Sequence, residues 1–131
     1  MPLEQVFEAV HESLPGPRWA RLFHLTWPAY RDWFLGEGHR ARPTYLASRR
    51  ALREHMPELL PTYERLVALA GGGDLAARFL ALYGPPAFVS GCSQAVWPGP
   101  NPLLVRNYDY SPHLFEGVIL SSHWRQPVIA V

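Results

Sequence analysis

The chain has 131 residues with 48% hydrophobic and 18% charged residues, enough apolar content for one globular domain and too much for a disordered one. A net charge of +1, with all basic residues arginine, argues against a broad nucleic-acid footprint. A single cysteine excludes an internal disulfide and predicts a reducing, cytoplasmic setting. No stretch reads as a secretory signal or a membrane span.

Residues 3–86 read as helical, and the whole chain reads as α+β. Leu3, Val6, Phe7, Val10 and Leu14 recur at helical spacing. Pro15 and Pro17 break that segment, and Pro17 suits the first turn of a second helix. There Trp19, Leu22, Phe23, Trp27, Tyr30 and Phe34 form one stripe, read as core with a substrate-binding wall as the alternative. Pro28 is expected to kink or split this helix, and Gly36 and Gly38 to end it. A third, Arg-rich helix is expected from about Pro43 to His55. Its Arg49, Arg50 and Arg53 read as a solvated face, against an anionic-ligand site such as one for a coenzyme A phosphate. A fourth helix carries Leu59, Tyr63, Leu66, Val67 and Ala70 and stops at Gly71–Gly73. Asp74 is expected to cap a fifth, with Leu75, Phe79 and Leu82 inside and Pro85–Pro86 after it.

From residue 87 the pattern changes to short β-prone runs: Phe88 to Trp97, Leu103 to Asn107, Gly117 to Ser122 and Val128 to Val131. Pro98–Gly99–Pro100–Asn101 is a turn between the first two, and the four runs suggest an antiparallel meander. The expected organisation is a helical segment, 1–86, followed by a β region, 87–131.

The chemistry concentrates at Gly91–Cys92–Ser93 and Arg106–Asn107–Tyr108–Asp109–Tyr110. A hairpin closed at 98–101 would put Cys92 beside Arg106 and Asp109. A neighbouring guanidinium favours the reactive thiolate, lowering a thiol pKa from its free value of roughly 8.5. Asp109 could orient Arg106 or accept a proton from a free amine. Tyr108 and Tyr110 read as packing residues, with one able to reach a substrate pocket. The plainer readings are an inert buried thiol for Cys92 and a structural ion pair for Arg106 and Asp109.

The segment GCSQAVW…LLVRNYDY…FEGVILSSHW resembles the start of the mature chain in the C45 peptidase family. That family includes isopenicillin-N acyltransferase and is related to the choloylglycine hydrolases and acid ceramidases. The resemblance covers residues 88–131. It implies an N-terminal-nucleophile (Ntn) hydrolase or acyltransferase with an αββα sandwich, whose precursor cleaves its own Gly–Cys bond. By that resemblance Cys92 is the nucleophile, its freed α-amino group the base, and Arg106 and Asp109 the supporting pair. It implies a small amide or acyl substrate, with a coenzyme A thioester as one acyl donor it allows and no other cofactor. The halves could stay associated after cleavage, with no nucleic acid or membrane as partner. It would place the side-chain oxyanion donor beyond Val131, so the chain is expected to be an incomplete precursor, inactive alone.

Chemistry gives the same junction a rationale. A thiol at Cys92 can attack the Gly91 carbonyl, and hydrolysis of the thioester frees an α-amine of pKa roughly 7.7–8.0, partly neutral at cellular pH. Glycine before the cysteine leaves that carbonyl unobstructed. The reading from another class is a non-catalytic helical interaction module that retains a decayed enzyme start. The six histidines show no pair at metal-ligand spacing on one helix, although His113 and His123 could meet across a hairpin, and no metal is expected. The glycines at Gly71–Gly73 lack the strand, lysine and spacing of a phosphate loop.

Overall fold

The computed structural model describes residues 4, 6–87, 92–108, 117–123 and 127–130, with the backbone alone described at 92, 108 and 130. It is a mixed α+β structure. In chain order it runs β1 (Glu8–His11), α1 (Pro17–Phe34), α2 (Tyr45–His55), α3 (Leu60–Leu69), α4 (Asp74–Leu80), β2 (Cys92–Trp97), β3 (Leu103–Tyr108), β4 (Val118–His123) and β5 (Pro127–Ala130). Two 3-10 turns, His39–Ala41 and Pro57–Leu59, lead into α2 and α3.

The first segment corrects the helical expectation. Glu8–His11 is a strand, paired in parallel with β4 from Glu8↔Val118 to His11↔Ser121. Helical spacing there was genuine but unused: Val6 is 80% exposed, and Val10 is the residue of β1 that is buried. So short a run is a marginal helix in water. Pairing satisfies its backbone instead, with Glu8 N donating to Gly117 O at 2.7 Å and Glu12 N to Ser121 O at 2.9 Å.

The four-strand meander is corrected as well. The described strands form two sheets, β1-β4-β5 and the hairpin β2-β3. β4 pairs antiparallel with β5 on one side and takes β1, not β3, on the other. The strand from the N-terminal segment therefore occupies the edge that a meander would have given to β3.

Helix α1 begins with Pro17 at its first turn and continues unsplit through Pro28, whose ring faces solvent. Its preceding residue, Gly16, offers no side-chain cap. The cap comes from the residue that follows β1: the Glu12 carboxylate accepts from the backbone N–H groups of Gly16 (2.9 Å), Arg18 (3.0 Å) and Trp19 (2.9 Å). These are donors a helix start leaves unsatisfied. Gly16 permits the approach, since a Cβ there would stand 2.9 Å from a Glu12 carboxylate oxygen. Burial alone would raise the Glu12 carboxyl, but the three N–H groups and the Arg18 charge hold it below the ordinary carboxylate value. After Phe34 the chain turns out through Gly38 at φ 89°, a conformation glycine adopts freely.

The helices pack around α4. Trp19, Phe23 and Trp27 stack in series with centroids 5.2 Å apart, and Phe79 of α4 meets Trp27 (5.2 Å), Tyr30 (5.5 Å) and Phe34 (5.7 Å). The aromatic stripe therefore packs along itself and against α4, with Phe23 and Phe34 buried and Tyr30 38% exposed. Tyr63 of α3 is buried and donates to Ala77 O at 3.0 Å, and burial pushes its phenol up to about 12. Thr44 caps α2, its hydroxyl accepting from Ala47 N at 3.2 Å. Asp74 is not the expected cap of α4: Gly73 holds that position, and Asp74 lies in the first turn, 3.5 Å from Arg78. The buried Arg42 ties the turn before α2 to the end of α4, pairing with Glu37, donating to Gly84 O at 3.2 Å and covering Phe34 at 5.7 Å.

Candidate active site

The turn at Pro98–Asn101 makes the expected hairpin. β2 and β3 run antiparallel with Cys92 opposite Tyr108, Ser93 opposite Asn107, Gln94 opposite Arg106, and so on to Trp97 opposite Leu103. Gly99 leaves room for the Trp97 indole, which folds over the turn and would have to shift if a Cβ stood there.

The register brings some expected residues together at the level of the backbone. Cys92 begins β2 and Tyr108 ends β3 as direct partners. Arg106 lies two pairs further in, the diagonal neighbour of Cys92; such positions are generally about 7–8 Å apart, within reach of a long side chain. Arg106 is exposed. Gly91, Asp109 and Tyr110, and the orientation of the Cys92 and Tyr108 side chains, lie outside what the structure describes. So does His113, the imagined partner of the exposed His123.

One polar residue was missed by the sequence reading. Gln94 faces Arg106 directly across the hairpin and is exposed. Its signal was parity: two residues after Cys92 in a strand share its side of the sheet. An amide there adds donors and an acceptor next to the guanidinium.

The surroundings of this hairpin are unusual. Val96, Trp97, Leu103, Leu104 and Val105 are each 60–69% exposed. They occupy both faces, since Val96 and Leu104 form one cross-strand pair and Trp97 and Leu103 the next. A two-stranded ribbon is marginal in water without a further layer. The chain therefore holds Cys92 and Arg106 on an apolar ribbon suited to packing against something else.

Among the described residues no group of three or more His, Cys, Asp or Glu side chains could hold a metal ion, and no helix is long and apolar enough to cross a membrane. No family model, no curated protein and no solved structure matches this chain.

Proposed function

We propose that the chain carries the processing junction of a cysteine Ntn hydrolase or acyltransferase of the C45 type, acting on amide bonds or acyl thioesters. The observation that supports this most is the β2–β3 register. Cys92, next to a glycine in sequence, begins one strand, and the Arg106–Tyr108 stretch ends the adjoining one. In the family that the sequence resembles, a hairpin of this kind lies inside an αββα sandwich. The exposed apolar side chains on both faces of this hairpin agree with a second layer lying over it.

In this reading the Cys92 sulfur attacks the Gly91 carbonyl carbon. The Gly91–Cys92 amide breaks, its nitrogen takes the thiol proton, and a thioester forms. Water hydrolyses the thioester, leaving a Gly91 carboxylate and a Cys92 with free thiol and free amine. The amine then serves as base for the thiol when a substrate acyl group is taken up, and water or an acceptor amine releases the acyl group. Arg106 stabilises the thiolate, Asp109 orients Arg106 or the amine, Gln94 adds a donor beside them, and Tyr108 and Tyr110 line the substrate side.

The test is intact-mass spectrometry of the chain, expressed alone and with any sequence its reading frame encodes beyond Val131. Cleavage between Gly91 and Cys92, abolished in Cys92→Ala and slowed in Cys92→Ser, supports the reading. An uncleaved product in every form argues against it. The exposed hairpin also favours a second reading, a non-catalytic interaction module. That reading predicts an intact chain whose hairpin becomes protected from hydrogen exchange when a partner binds.

A further inference from the structure

Helix α2 carries Leu46, Arg49, Arg50 and Arg53 at i, i+3, i+4 and i+7, which places them on one face. These four side chains line a cleft of about 250 Å3. Arg49 is committed at one end, its guanidinium donating to Glu64 of α3 at 2.6 Å. Arg50 and Arg53 pair with no carboxylate among the described residues, although Glu54 lies one helical turn beyond Arg50. Other arginines serve the fold. Arg78 donates to the carbonyls of Pro43 (2.8 Å), His39 (2.9 Å) and Arg42 (3.0 Å), and Arg65 to that of Pro15. Arg50 and Arg53 stand three residues apart on one helix face, close enough for both guanidiniums to reach a single anion. Beside them Leu46 is 73% exposed, an apolar surface next to two guanidiniums that no carboxylate among the described residues pairs.

We propose that this cleft binds a phosphate-bearing ligand with an apolar tail. The guanidinium forks of Arg50 and Arg53 match phosphate oxygens in charge and geometry. Leu46 supplies the surface for the first carbons of the tail. The phosphate belongs either to a soluble amphiphile or to a lipid headgroup. The site stands on α2 alone and is independent of the chemistry at Cys92.

The full chain is titrated by calorimetry with inorganic phosphate and with octyl phosphate, and is sedimented with phosphatidylcholine vesicles containing phosphatidic acid. Octyl phosphate should bind about tenfold more tightly than inorganic phosphate, and Leu46→Ser should remove that advantage. Arg50→Gln with Arg53→Gln should weaken octyl phosphate binding by about tenfold or more at an unchanged melting temperature. If that double variant does not fold, Arg50→Lys with Arg53→Lys keeps the charge, loses the forks, and should still weaken binding severalfold. Octyl phosphate binding without vesicle sedimentation identifies a soluble ligand, and sedimentation that the arginine substitutions abolish identifies a lipid headgroup. Absence of binding to octyl phosphate and to vesicles, or binding that the arginine substitutions leave unchanged, overturns the proposal.

Discussion

Glu12→Ala tests the join between the first strand and the first helix. The carboxylate accepts three backbone N–H groups at 2.9–3.0 Å, at the positive end of an eighteen-residue helix. A capping side chain contributes about 0.5–2 kcal/mol, and a negative charge at a helix start about 0.3–1 kcal/mol. Glu12 is only partly shielded from water, so the two together should cost about 1–2 kcal/mol on truncation, or a melting temperature lower by roughly 3–6 °C. Glu12→Gln keeps an acceptor oxygen and loses the charge, and should cost about half as much. The pH dependence has a definite sign. The folded carboxyl titrates below its ordinary value near 4.5, so the stabilisation is complete above that value and is lost as pH falls through the folded one. Urea unfolding of the parent and Glu12→Gln at pH 7 and pH 3 measures it. The gap between them should be smaller at pH 3 than at pH 7. Equal midpoints at pH 7, or a gap that widens in acid, would refute the capping account. Gly16→Ala should reproduce part of the loss, because its methyl must displace the same carboxylate.

Other substitutions report on the helical core. Tyr63→Phe removes the buried hydroxyl that donates to Ala77 O and should cost about 1 kcal/mol in denaturant unfolding. The phenol of Tyr63 is raised to about 12, so absorbance titration should find one tyrosine still protonated at pH 11. Its folded pKa exceeds its unfolded one, so its contribution is whole below pH 10 and declines as pH rises through 12. Phe79→Ala opens the point where Trp27, Tyr30 and Phe34 converge and should cost about 3 kcal/mol, with loss of the near-ultraviolet aromatic signal. On the hairpin, Leu103→Ser with Val105→Ser should raise solubility without lowering the melting temperature, because both side chains are already in water.

The helices were legible because their signals are local. Pro17, Gly36, Gly38 and Gly71 punctuate them, and the aromatic period of α1 matches the face that meets Phe79. β1 was not legible, because its pattern fits a helix as well as a strand and its partner β4 is more than a hundred residues away. The same distance hid the reason β4 turns from β3. The Glu12 cap went unseen because capping is looked for next to a helix start, whereas this carboxylate reaches from just beyond the strand across Ser13–Pro15. At the candidate site the turn residues 98–101 foretold the hairpin, and parity would have foretold Gln94 opposite Arg106. What no local pattern conveys is that both faces of that hairpin stay open, since burial depends on the whole chain.

The enzymatic account is tested most directly by labelling with 2-cyanobenzothiazole, which condenses with a cysteine only when its amine is free. The account predicts a labelled polypeptide that begins at Cys92, and no labelled product from Cys92→Ala. A protein that stays full-length and unlabelled, expressed with everything its reading frame encodes, would contradict it.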